Sequence, residues 1–256
     1  MEIKLRPEIP EEKIIQLQNS AKKIDFRKPY KFIYLDLWFD LLTFPFFILC
    51  IFAAGCCCFF FSFRVEGREN KKILSKRGCI TISNHCHYLD AVFASYVIFP
   101  KRLYVTVAQQ NYEVPYIRRI LRFIRAFPIP ATPMGFKMIT KPIGEALKQR
   151  HHVHFLPEGE LVHLSQTIHR FRPGAFYQSY LHQAPILPMV YVMKRRRFFG
   201  KEMRPNWIKM TLFIGDPIFP PKFNGEKSFP KEDLAEMSEK AASWMEETIA
   251  NHHKGI

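Results

Sequence analysis

Cys79-Ile80-Thr81-Ile82-Ser83-Asn84-His85-Cys86-His87-Tyr88-Leu89-Asp90-Ala91-Val92-Phe93-Ala94 is the stretch that decides the fold. Its first four residues form a short apolar run that reads as a buried strand. Its last four are apolar and suit the start of a helix. The polar residues between them make a strand–turn–helix unit. On one regular helix, His85 and Asp90 would stand about 140° apart and could not meet. They meet if His85 ends the strand and Asp90 lies one turn into the helix. A neutral imidazole titrates near neutrality, so it can take a proton from a hydroxyl. A carboxylate on its far nitrogen fixes the tautomer and stabilises the imidazolium that forms. Taken alone, the pair also fits an ordinary helix cap beside a polar residue.

Working outward, short apolar runs at 79–82, 103–108, 153–156, 186–192 and 209–214 predict strands. The stretches 88–98, 113–126, 135–149, 174–182 and 231–250 predict helices. Strands alternating with helices predict an α/β fold, a mixed sheet flanked by helices. The last helix carries an apolar stripe of Leu234, Met237, Ala241, Met245 and Ile249, with Pro230 near its first turn.

Upstream, Leu41–Phe63 has no charged residue. As a helix its 23 residues would extend roughly 34 Å, enough for a bilayer core. A buried core helix is the alternative. Lys22, Lys23, Arg27, Lys28 and Lys31 flank one side; Arg64, Arg68, Lys71, Lys72, Lys76 and Arg77 flank the other. Basic residues on both sides give no orientation by the positive-inside rule. Pro45 and Gly55 invite a bend. A helical hairpin dipping into one leaflet keeps both flanks on the cytoplasmic face and is favoured over a span. The expected organisation is an N-terminal amphipathic and membrane-embedded helical segment over 1–63 and a catalytic domain over 64–256, on the cytoplasmic side.

The 256 residues carry a formal net charge of +15, and 48% are hydrophobic. That balance favours an anionic partner: phospholipid head groups, a phosphorylated substrate or nucleic acid. The count of 25 phenylalanines, many beside or inside the apolar segment, tilts the reading to lipid and away from nucleic acid. Cys50, Cys56, Cys57 and Cys58 fall in the apolar segment, Cys79 and Cys86 stand apart, and no CxxC pair occurs. A reducing environment is expected, with apolar packing favoured over palmitoylation for the cluster. His152 and His154 would share a strand face. No acidic or cysteine partner has ligand spacing, so no metal is expected.

Two further motifs stand out. Leu156-Pro157-Glu158-Gly159-Glu160 follows a strand, and its glycine would let the backbone approach a ligand. Arginines recur at 118, 119, 122 and 125 and in Phe171-Arg172-Pro173-Gly174-Ala175. Guanidinium forks match phosphate oxygens, although a solvated basic face also explains the first group.

In this order the motifs resemble the 1-acylglycerol-3-phosphate acyltransferase family over roughly residues 65–220. Asn84-His85 to Asp90 is similar to its first block, Phe127-Pro128-Ile129-Pro130 to its second, Phe155–Gly159 to its third and Ala184–Pro188 to its fourth. The resemblance implies His85 and Asp90 as catalytic residues. It implies Asn84, Glu158, Gly159, Arg172 and Gly174 as substrate-binding residues, and Arg122 and Arg125, with Arg118, Arg119 and Arg170, are candidates to replace phosphate-binding arginines of the family that this chain lacks. It implies an acyl-CoA or acyl carrier protein donor, lysophosphatidic acid as acceptor in a phospholipid membrane, and no cofactor. The third block of the family continues with Thr-Arg, where this chain has Glu160-Leu161. An arginine of the second block is replaced by Pro130-Ala131. Both arginines are those expected on the acceptor phosphate, so another lysophospholipid or a lipid-linked acceptor is the alternative, and Arg172 is the first substitute.

Overall fold

The computed structural model describes residues 6–9, 30–198, 201–202, 208–222 and 231–253. Helix α1 (Leu37–Phe60) leads into β1 (Arg64–Glu66) and the short α2 (Ile73–Lys76). There follow β2 (Ile80–Ser83), α3 (Asp90–Ile98), β3 (Leu103–Ala108), α4 (Gln109–Glu113), α5 (Pro115–Phe123) and β4 (Ala126–Ile129). Then come α6 (Pro133–Lys148), β5 (His152–Phe155), α7 (Gly174–His182) and β6 (Ile186–Arg195). The strands β7 (Arg197–Phe198) and β8 (Lys201–Glu202) form a separate ribbon before β9 (Ile208–Ile214) and α8 (Lys231–His253).

Seven strands make one mixed sheet in the order β1-β9-β6-β2-β5-β3-β4. The β6–β9 pair is antiparallel and every other pair in it is parallel. The sheet is buried on both faces, which explains strands that read as continuous apolar runs. Strand period two sorts their side chains. Ile80, Ile82, Val153, Phe155, Ile186, Val190 and Val192 face a core with α6, α7 and α8. Cys79, Leu103, Val105, Leu187, Met189, Tyr191 and Met193 face the other core, with α3 and the end of α1.

All five expected strands form. The expected helix over 113–126 does not form as one piece. Val114 precedes a proline and is driven to an extended conformation (φ −75°, ψ 115°), which ends α4; Pro115 then opens α5. The last residues of that range turn through Arg125 at φ +61° and enter β4, so the Phe127–Ile129 string is a strand. Strand β1 escaped the sequence because three residues of alternating exposure at a sheet edge leave no apolar run. The α8 stripe is buried at all five predicted positions. Pro230 lies outside the described residues, as do Lys22, Lys23, Arg27 and Lys28.

Helix α1 is unbroken through Pro45 and Gly55, so the expected hairpin is not formed. It packs along the domain instead. Near its start, Asp40 pairs with Arg102 and lies 3.6 Å from Arg125. Midway, Phe47 meets the Arg125 guanidinium at 4.1 Å from its ring centre. Near its end, Cys58 joins the α3 core. The outer face stays apolar and exposed, from Trp38 at 82% to Phe59 at 88%.

The described residues of the 1–63 segment share the cores of the rest. Phe32 and Ile33 are buried in the α6–α7–α8 core. Arg6 reaches Glu239 and Glu246 on α8 at 2.6 and 2.8 Å. A boundary at 63/64 therefore divides the sequence and not the cores.

Candidate active site

The parallel register of β2 and β5 sets Ile82 beside Phe155. Both chains leave the sheet on the same edge, so the loop carrying His85 and the loop carrying Glu158 come out side by side. Strand β2 sits inside the sheet, between β6 and β5. Ligands of α/β sheets bind at the carboxyl ends of such strands.

His85 Nδ1 lies 3.1 Å from Asp90 Oδ2. Asp90 opens α3 and is wholly buried. The same oxygen accepts the backbone N–H groups of Cys86 and His87, both at 2.8 Å. The carboxylate thus folds its own loop around itself, at the helix end where negative charge is favoured. With Nδ1 committed to Asp90, Nε2 is the nitrogen left to exchange a proton. The imidazole remains about one-fifth exposed, while its partner is sealed.

Glu158 holds the second loop. Its Oε2 accepts from His85 N–H at 2.8 Å and its Oε1 from His169 N–H at 3.0 Å. Burial pushes its carboxyl up to about 7, against the two N–H bonds, which favour the charged form. The N–H groups of residues 85, 86 and 87 are therefore all taken by carboxylates. An oxyanion formed on substrate must find its donors elsewhere.

Gly159 turns the chain at φ +81°, and a Cβ there would meet Arg172 Nε at 2.4 Å. Arg172 lies across this bare backbone, its own N–H donating to Pro157 O at 2.7 Å. Its exposed guanidinium stands 3.6 Å from Glu160. Gly174 begins α7, and its missing side chain makes room for the Phe136 ring.

The Asn84 side chain is buried and spent on backbone. Its Nδ2 donates to Tyr191 O at 3.2 Å and its Oδ1 accepts from Tyr191 N–H at 2.8 Å. The Tyr191 hydroxyl donates to Asp90 O at 2.6 Å. Arg122 and Arg125 sit at the β4 side of the sheet, separated from β2 by β5 and β3. Arg122 donates to the Tyr30 hydroxyl at 3.3 Å, and Arg125 is taken up by Asp40 and Phe47. The structure gathers His85, Asp90, Glu158, Gly159 and Arg172 at one sheet edge and leaves these two arginines outside it.

Sequence reasoning missed Tyr191 and the role of His154. His154 is fully buried between Thr81 Oγ1 at 2.9 Å and Ser83 Oγ at 3.3 Å, and burial pushes its pKa down to about 3. It is a neutral strut beneath the His85 loop. The available signal was its polar character inside an apolar strand, where every polar group needs a partner. His152 instead accepts from Cys79 N–H at 3.2 Å. Among the described residues, no three His, Cys, Asp or Glu side chains gather as metal ligands. Cys86 is buried, and desolvation first, then Asp90 and Glu158, push its thiol well above the ordinary range. A thiol so held is protonated and a poor nucleophile.

A histidine backed by a sealed carboxylate, with no activated nucleophile beside it, suits direct transfer of a group to a hydroxyl. The family described as Acyltransferase matches residues 62–192, more than half of the chain, and the chain belongs to that family. The 1-acyl-sn-glycerol-3-phosphate acyltransferase of Bacillus subtilis (strain 168) is 27% identical over 176 residues, covering 69% of this chain and 82% of that protein. The solved 1-acyl-sn-glycerophosphate (LPA) acyltransferase PlsC from Thermotoga maritima aligns over 73% of this chain and 71% of its own, at 18% identity with a TM-score of 0.48.

Proposed function

We propose that the protein moves a fatty acyl group from a thioester to the free hydroxyl of lysophosphatidic acid, giving phosphatidic acid. The observation that carries this reading is the His85–Asp90 pair, with Asp90 buried and its oxygen shared among three donors. His85 Nε2 removes the hydroxyl proton as the oxygen attacks the thioester carbonyl. The tetrahedral intermediate collapses, the C–S bond breaks, and the proton passes from His85 to the departing thiolate. Asp90 holds the imidazole orientation and favours the transient imidazolium. The thioester is already activated, so no enzyme-bound acyl group is required.

Glu158 and Asn84 act as positioning residues, since their polar atoms are bonded to the backbone of the His85 loop and of β6. Arg172, exposed over Gly159, is the residue for the acceptor phosphate. The donor is a fatty acyl thioester of an acidic carrier, coenzyme A or acyl carrier protein, which the net charge of +15 suits. Helix α1 attaches the protein to the membrane. It touches the domain from Asp40 to Cys58, so it lies along the cytoplasmic leaflet with its outer apolar face in lipid.

The test is acyl transfer by the detergent-purified chain from a labelled acyl thioester to lysophosphatidic acid, beside lysophospholipids with other head groups. Product with lysophosphatidic acid, lost in His85→Ala, supports the reading. His85-dependent product only with another head group would keep the chemistry and replace the acceptor. Here the Glu160–Arg172 pair is the observation that favours this second reading, because it partly neutralises the cation proposed for the phosphate.

A further inference from the structure

Helix α5 carries an apolar stripe on its outer face and turns one arginine inward. Tyr116, Ile120 and Phe123 are spaced by four and three, so they form one stripe. That stripe faces away from the protein, with Tyr116 80%, Ile120 53% and Phe123 36% exposed. Arg122 points inward, donating to the Tyr30 hydroxyl and lying 5.8 Å from the Tyr34 ring centre. Leu121 and, just past the helix, Ile124 pack on the α3 core. A surface helix in water keeps such an apolar stripe turned to the core.

The stripe is not isolated. Phe123 stands edge-on to Phe46 of α1, ring centres 5.4 Å apart. The exposed apolar residues of α1, Leu42 and Leu49 among them, continue the surface. Arg119 is exposed on the flank of the stripe. Apolar side chains bordered by a cation suit the boundary between acyl chains and anionic head groups.

We propose that α5 is a second membrane-contact element, with Tyr116, Ile120 and Phe123 among acyl chains and Arg119 at lipid phosphates. The proposal rests on the attachment through α1 given above. A single helix lying in a leaflet leaves the domain free to roll about the helix axis. A second contact removes that roll and fixes the height of the His85 loop above the lipid. The continuity with α1 and the flanking cation favour lipid over a second copy of the chain as the occupant.

The test uses the full chain on phosphatidylcholine vesicles with and without phosphatidylglycerol. A photocrosslinking benzoylphenylalanine replaces Ile120, Leu42 on α1 or Glu247 on the exposed side of α8. Lipid adducts at 120 and 42, and none at 247, are expected. Adducts at 42 alone would overturn the α5 contact and leave the α1 attachment standing. Adducts at neither would overturn the attachment itself. Crosslinking from 120 to a second chain would replace lipid by a dimer. In parallel, the double substitution Ile120→Glu and Phe123→Glu is expected to weaken vesicle binding by roughly tenfold or more. Acyl transfer in detergent should persist in it. Unchanged vesicle binding would overturn the proposal.

Discussion

Replacing Glu158 by glutamine should remove a pH-dependent cost built into the His85 loop. Glu158 is nearly sealed from water, and its pKa stands at about 7 against an ordinary 4.5. An acid whose folded pKa is raised binds its proton more tightly in the folded state. Its contribution to stability is whole below pH 4.5 and is lost as pH rises through about 7. A rise of this size corresponds to about 3 kcal/mol. The substitution E158Q carries no charge and should not show that loss. Glutamine, however, presents an amide N–H₂ where a carboxylate oxygen accepts the N–H of His85 or His169. Losing one bond to a charged acceptor costs about 1.5–3 kcal/mol. Expressed in the transition state, that is roughly a tenfold to hundredfold fall in kcat. The assay is denaturant unfolding of both proteins in detergent from pH 4.5 to 8, with kcat measured across the same range. Every other group titrates in both proteins, so the wild-type-minus-variant difference isolates Glu158. That difference should fall by about 3 kcal/mol from the acid to the alkaline end. A flat difference, with kcat unchanged by the substitution, would refute the placement of a buried carboxylate under His85.

His85→Ala should lower kcat by roughly 10²–10⁴-fold, whereas Cys86→Ala should retain most activity; the reverse result in a single-turnover assay would replace base catalysis by a thiol nucleophile. Arg172→Ala should raise KM for lysophosphatidic acid about tenfold or more with kcat little changed, and an unchanged KM would remove Arg172 from the phosphate. Gly159→Ala should destabilise the loop by about 1–3 kcal/mol, because φ +81° favours glycine and the added Cβ would meet Arg172. Asp40→Ala should lower thermal stability by about 3 kcal/mol or more, because it leaves the buried Arg125 guanidinium without its anion. A melting temperature equal to wild type would show that the pair does not hold α1 to the domain.

Helix α8 and the five long strands were legible because their signal is periodic. One apolar stripe or one apolar run has one way to be buried. Strand β1 was not legible, since three residues at an edge carry no period. The break at Val114 had a local signal, the proline that follows. His85, Asp90, Glu158 and Gly159 were legible as chemical types at particular spacings. Arg122 and Arg125 were not assignable, because an arginine suited to phosphate looks the same in sequence as one that closes an ion pair with Asp40 or a hydrogen bond with Tyr30.

The sequence by itself determined the alternation of strand and helix, the pairing of His85 with Asp90 and the apolar length of α1. These depend on near neighbours along the chain, where spacing stands for geometry. Only the tertiary structure decided which arginine reaches the site, that Asn84 and Glu158 spend their polar atoms on backbone, and that α1 is one unbroken helix along the domain. It also decided that α5 turns its apolar stripe outward. Each of these is set by contacts between residues far apart in sequence, and neither a side chain's partner nor its exposure is encoded in its own neighbourhood.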